Sequence, residues 1–298
     1  MFVMQDDSTS GIPQEILERY TVEELLGRGG GALVFRARRN SDKTQVALKT
    51  FGSRYATDLD LRRRVKREVE TLERLSHPNM VNIIESSLGT ERACLVLDYF
   101  AGSTLLDALR GHGAFTVEDT LRLGLDVAGA LGHCHESQII HRDVKPGNIQ
   151  IESKSGRAIL LDFGVVKSLD QTAITRGPSL TGSLGYLTPE QIRGRDVDPR
   201  TDIYQLGVVL LQTLSGRNLL DDLIQRLFEH PERMEDLGNW WNLPTIRDTV
   251  TDLPTSVENL ILNCIQFEPD HRYSSTGEFE DHVRRIQHGE FVSILTDA

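Results

Sequence analysis

His141-Arg142-Asp143-Val144-Lys145-Pro146-Gly147-Asn148-Ile149-Gln150 places a carboxylate, an ammonium and an amide within six residues, directly behind a histidine and an arginine. The β-branched Val144 and Ile149 and the Pro146-Gly147 turn fix the spacing of these groups along the chain. A little downstream, Asp162-Phe163-Gly164 follows an Ile-Leu-Leu strand signal. Asp143, Asn148 and Asp162 together supply oxygen ligands suited to magnesium and one carboxylate for a hydroxyl proton. Magnesium takes few protein carboxylates and shares its shell with phosphates, so the stretch raises the question of where a phosphate would be held.

The answer lies upstream. Leu26-Gly27-Arg28-Gly29-Gly30-Gly31-Ala32-Leu33-Val34 is a glycine-rich turn between two strand-like runs. Glycines let backbone N–H groups approach phosphate oxygens, although a flexible hairpin explains the same turn equally well. Lys49 ends Val46-Ala47-Leu48-Lys49, where a snorkelling edge lysine is the plain reading. Glu68 alters that balance. It falls three residues after Val65 and four before Leu72, on the stripe formed by Leu61, Val65, Val69, Leu72 and Leu75. A carboxylate there calls for a cation, and Lys49 is the natural partner.

The rest of the chain bounds the class. Its 298 residues, 39% hydrophobic and 26% charged, suit one large domain or two lobes. A formal charge of −11 and a pI near 5.3 argue against a nucleic-acid or anionic-membrane surface. Cys94, Cys134 and Cys264 sit far apart among apolar neighbours and read as reduced core thiols of a cytoplasmic protein. In His133-Cys134-His135, neighbouring helical residues face different ways, which disfavours a shared metal. The N-terminus carries no signal-peptide pattern, and the apolar run Gly207–Leu211 is far below the roughly 20 residues of a membrane helix. Residues 1–19 read as a polar extension. A β-rich lobe with one main helix follows over about 20–97, then a connector near 98–103, a larger helical lobe over about 104–288 and a tail over 289–298.

In order, these motifs resemble the eukaryotic-type (Hanks-type) serine/threonine protein kinases also found in bacteria, from about Tyr20 to Gln287. The signature positions are Gly27–Val34, Lys49, Glu68, His141–Asn148, Asp162–Gly164 and Thr188-Pro189-Glu190. The resemblance implies an α+β, two-lobed protein kinase fold that transfers the ATP γ-phosphate to Ser/Thr hydroxyls of protein substrates, with magnesium or manganese. It implies that Asp143 accepts or orients the hydroxyl, Lys145 neutralises the transferred phosphoryl, and Asn148 and Asp162 hold the metal. It gives the phosphates to Lys49, paired with Glu68. It places Leu26, Gly27, Gly29, Val34, Ala47, Leu97, Asp98, Phe100 and Gln150 about the nucleotide. Asp202 is implied to brace the catalytic loop and Arg272 to pair with Glu190. Leu72, Ile83, His141 and Phe163 are implied to stack as a spine, with Gly164 completing its motif.

Four positions depart from the family pattern. Ala32 replaces a glycine, Thr188 an alanine, Ser183 a threonine, and Gln150 an apolar residue beneath the adenine. Arg142 before Asp143 accompanies, in the family, control by phosphorylation of the following segment. Thr172, Thr175, Ser179 and Thr181 are the candidate sites, Thr181 foremost, with self-association for autophosphorylation. A solvated loop is the plain reading of each hydroxyl taken singly. The alternatives are a nucleotide-binding pseudokinase or scaffold and a small-molecule kinase. Lys145, two residues after Asp143, favours the Ser/Thr class, and the Gly185–Glu190 platform favours a protein substrate.

Overall fold

The computed structural model describes residues 11–29, 32–162, 184–221, 225, 229–230 and 246–295. These divide into two compact units, one of residues 11–77 and 81–100, the other of 78–80, 101–162 and the described residues from 184 onward. The division falls after Phe100.

In the first unit, α1 (Gln14–Arg19) runs straight into β1 (Tyr20–Gly29), followed by β2 (Ala32–Arg39) and β3 (Gln45–Thr50). Helices α2 (Ser53–Thr57) and α3 (Leu59–Leu72) precede β4 (Ile83–Leu88) and β5 (Ala93–Asp98). The strands form one antiparallel sheet in the order β1-β2-β3-β5-β4. Helix α3 starts where the Asp58 carboxylate accepts the Leu61 N–H at 2.9 Å, and it buries Leu61, Val65, Val69 and Leu72 at the spacing the sequence predicts.

Period-two alternation sorts the sheet into two faces. Phe35, Ala37, Val46, Leu48, Cys94 and Val96 share a core that Ile12 and Ile16 complete, both fully buried. The reading of 1–19 as a polar extension is therefore corrected from Gly11 onward. A six-residue helix has little stability alone, and burying each isoleucine contributes about 1.5–3 kcal/mol, so packing on the sheet makes the helix.

In the second unit, β6 (Gly102–Thr104), β7 (Ile149–Glu152) and β8 (Ala158–Leu160) form an antiparallel sheet in that order. A side chain at Gly102 would strike the Ile151 carbonyl oxygen, so the close approach of β6 to β7 requires glycine. Asn79 belongs here, where its side-chain amide donates to the Ala158 oxygen at 3.0 Å and its carbonyl accepts from Leu160 N–H at 2.8 Å.

Among the described residues of this unit, the α-helices are α4 (Leu105–His112), α5 (Val117–Glu136), α6 (Pro189–Ile192), α7 (Pro199–Ser215), α8 (Thr255–Cys264) and α9 (Thr276–Gln287). Helix α7 is buried on every side from Thr201 to Leu214, as an axis around which other helices pack. Val292 and Ser293, beyond α9, are tied back to α8. Asn259 and Asn263 donate to the Val292 and Ser293 carbonyls at 2.8 and 3.0 Å, and Val292 is buried.

The three cysteines are free and buried, and burial pushes the Cys94 and Cys134 thiols up to about 12. No helix among the described residues is long and apolar enough to cross a membrane.

Candidate active site

The loop between α5 and β7 carries His141, Arg142, Asp143, Lys145 and Asn148. Its backbone is held from α7. The Asp202 carboxylate, fully buried, accepts the His141 N–H at 2.9 Å and the Arg142 N–H at 2.7 Å, and pairs with His135 Nε2 at 2.8 Å. Arg142 adopts a left-handed φ of 64°, a conformation that costs a residue with a Cβ about 1–2 kcal/mol and that the Asp202 bonds maintain. Burial pushes the His141 imidazole below its usual pKa, against the pull of Asp202, Asp143 and Asp162.

On this scaffold three candidate residues meet. Lys145 Nζ donates to Asp143 Oδ1 at 3.1 Å, and Asn148 Nδ2 donates to Asp143 Oδ2 and to its carbonyl oxygen, both at 2.8 Å. All three side chains are half-buried or nearly so, which strengthens their mutual electrostatics relative to bulk water. The Asn148 nitrogen is fully engaged, which turns its Oδ1 away from Asp143 with no hydrogen bond among the described residues. An amide oxygen presented in this way, near carboxylates, fits a hard divalent cation. The Leu161 N–H donates to the Asn148 carbonyl at 2.8 Å, which brings the chain carrying Asp162 alongside Asn148.

In the first unit, strand register arranges the other set. Val34 pairs with Lys49 and Lys49 with Leu95 in one row, while Arg36, Ala47 and Leu97 form the next. Val34, Ala47, Lys49 and Leu97 therefore share the sheet face opposite Leu48 and its core. Gly27 pairs with Val34, and a Cβ at Gly27 would meet nothing within 4 Å. Lys49 is buried, Glu68 is half-buried beside the α3 stripe, and Leu26 is exposed. Asp98 accepts from Asn82 Nδ2 at 2.7 Å, and Phe100 is half-buried at the end of this unit. Gln150 lies in β7 between Thr104 and Ile159 and is half-buried.

A buried ion pair stabilises the platform. Arg272, with no exposed side-chain surface, donates twice to Glu190, at 3.0 and 2.9 Å, and stacks 4.7 Å from the Tyr204 ring. Burial raises the Glu190 carboxyl, but the Arg272 hydrogen bonds and charge, with Thr201, outweigh it and hold it below the ordinary range. Thr188, the departure from alanine, has a local role. It is the N-cap of α6 in a reciprocal capping box with Gln191, which alanine cannot make.

Phe163, Gly164, Thr172, Thr175, Ser179, Thr181 and Ser183 lie outside the described residues. Sequence reasoning missed His135, Thr201, Gln191 and Gln205. For Gln205 a signal existed: an amide inside the apolar run of α7 needs buried partners. His135 and Thr201 act across 67 and 11 residues, where local pattern is silent.

The sequence pattern of the family described as protein kinase domain matches residues 20–284. The serine/threonine-protein kinase PrkC of Bacillus subtilis is 33% identical over 275 residues, covering 92% of this chain and 41% of the relative. The serine/threonine-protein kinase PknB of Mycobacterium leprae is 30% identical over 296 residues, covering 96% of this chain and 46% of the relative. The chain thus spans less than half the length of these curated relatives. The crystal structure of the Mycobacterium tuberculosis PknI kinase domain superposes with a TM-score of 0.67 at 25% identity, covering 90% of this chain and 96% of that one.

Proposed function

Because the chain belongs to the protein kinase domain family, of the serine/threonine kind found in bacteria, we propose that it transfers the γ-phosphate of ATP to Ser/Thr hydroxyls of proteins. The observation that carries this reading is the Asp143 carboxylate, held by Lys145 on one oxygen and Asn148 on the other. Asp143 orients the acceptor hydroxyl and takes its proton, while Lys145 offsets charge on the phosphoryl group in flight. Asn148 and Asp162 would hold a divalent cation, which neutralises phosphate oxygens when bound. On the first unit, Lys49 binds phosphate oxygens with Glu68 as its partner, and Leu26, Gly27, Gly29, Val34, Ala47, Leu97, Asp98 and Phe100 serve the nucleotide. On the second unit, Gln150 serves it too.

Arg142 supports control by phosphorylation. Its Nε is buried with no hydrogen-bond partner among the described residues, an arrangement that a phosphate on Thr181, Thr175, Thr172 or Ser179 would satisfy. We place the chain in the cytoplasm, with protein substrates and a second copy of itself as partners.

The test is phosphopeptide mass spectrometry after incubation with Mg-ATP and a generic Ser/Thr protein substrate, for the parent and for Asp143→Asn. The variant keeps an acceptor for Lys145 but loses its proton-accepting charge. It should retain ATP binding and thermal stability while transfer falls by roughly three orders of magnitude or more. Parental turnover in Asp143→Asn would refute the assignment.

A further inference from the structure

We propose that Gln205 is a positioning residue for phosphoryl transfer, whose side-chain amide locks the peptide groups on both sides of Asp143 to the backbone of the substrate platform. The inference rests on the transferase reading above and deepens it.

Gln205 sits in the middle of α7 and is 2% exposed. Its Oε1 accepts the Val144 N–H at 2.9 Å, and its Nε2 donates to the Arg142 carbonyl at 3.2 Å. Those two groups belong to the peptide units immediately before and after the Asp143 Cα. One amide therefore clasps the backbone of Asp143 as a neighbouring strand would. The second Nε2 hydrogen points to the Tyr186 carbonyl at 3.2 Å, in the Leu184–Tyr186 turn of the platform. An amide offers two donors and one acceptor along these directions, and all three are matched. The flip is fixed as well, because reversing the amide would set an oxygen against two carbonyl oxygens and a nitrogen against an N–H.

The surroundings repeat the pattern. Gln191 Nε2 also points to the Arg142 carbonyl at 3.5 Å, and the Gln191 side chain belongs to the capping box of α6. Asp202, one turn before Gln205 on α7, holds the N–H groups of His141 and Arg142. Asp202 thus fixes the loop entering Asp143, and Gln205 fixes the peptides around Asp143 and relates them to the platform. Orientation of the acceptor hydroxyl against Asp143 depends on that relation, because small misplacements at a reacting pair cost large factors in rate.

A buried amide that only completes the core would affect stability and leave the kinetics of the folded enzyme alone. A positioning amide predicts a split. Gln205→Met keeps the length of the side chain and removes all three bonds. It should lower kcat about tenfold and raise KM for a peptide substrate severalfold, with KM for ATP changed less than about twofold. Gln205→Glu keeps the acceptor for the Val144 N–H and loses both donors as a carboxylate. It should retain slow exchange of the Val144 amide while still raising the peptide KM.

The parent carries an independent readout in amide hydrogen exchange. Val144 N–H should exchange at least about a hundredfold more slowly than an open loop amide, and this measurement stands whether or not a variant folds. Fast exchange at Val144 in the parent would overturn the inference. So would parental kcat and peptide KM in a folded Gln205→Met, or equal changes in the ATP and peptide KM. If the parent transfers no phosphate to any Ser/Thr substrate, the transferase reading fails, and the role of Gln205 in transfer falls with it. Parental rates in both variants of an active enzyme would instead refute the Gln205 inference alone.

Discussion

Replacing Asp202 by Asn tests how far the catalytic loop depends on one buried carboxylate. Asp202 accepts two backbone N–H groups, from His141 and Arg142, and meets His135 Nε2 at 2.8 Å. An asparagine has a single oxygen. If that oxygen stays on Arg142, the new NH2 faces the His141 N–H and His135. The imidazole can adapt by accepting, but the peptide N–H cannot, and a buried donor without a partner costs about 1–3 kcal/mol. The surviving bonds lose their charge assistance, for roughly 1 kcal/mol more, giving about 2–4 kcal/mol in all. Against a total of about 5–15 kcal/mol the variant remains folded. With the Arg142 N–H held more weakly, its left-handed φ of 64° has less to oppose its relaxation. Transfer should therefore fall about a hundredfold, which corresponds to about 2.7 kcal/mol in the barrier. Urea unfolding gives the stability, steady-state kinetics the turnover, and hydrogen exchange at His141 and Arg142 the local cause. Unfolding free energy within about 0.5 kcal/mol of the parent, with unchanged exchange at both amides, would refute the reasoning.

Glu190 makes stability depend on pH. Its folded carboxyl lies below the ordinary value of 4.5, so its contribution is present above that value and is lost as pH falls through the folded one. Urea midpoints measured downward from about pH 6 should fall more steeply for the parent than for Glu190→Gln. The variant should start about 3 kcal/mol lower because Arg272 is left as an uncompensated buried charge. Gly207→Ala pits helix propensity, about 1 kcal/mol in favour, against a new Cβ forced into Cys264 and within 2.7 Å of Ile265 Cγ2. Overpacking costs about 1–3 kcal/mol, so the net effect on Tm should be a fall, and a rise would show that α8 can yield. Ile16→Ala empties a fully buried site in the first unit and should cost about 2–5 kcal/mol in thermal or urea unfolding, whereas a loose extension would show no change.

Much of the candidate site is written along the chain. The carboxylate, ammonium and amide of residues 143–148 are close in sequence, so one short loop can bring Asp143, Lys145 and Asn148 together, as the hydrogen bonds show. Strand alternation likewise sets Val34, Ala47 and Lys49 on one face, and the 3.6-residue period sets the buried stripe of α3. These features are local, and a local pattern suffices to read them.

What holds them is not local. His141, Arg142 and Val144 are bonded by side chains 60 or 61 residues away, and Glu190 is matched by Arg272 across 82. In the sequence, Gln205 is only an amide in an apolar helix, and Ile12 and Ile16 are only two isoleucines in a polar stretch. Tertiary packing decides their roles, because a buried polar group must find its complement wherever the fold supplies one, and a short helix is stable only on the surface that buries it.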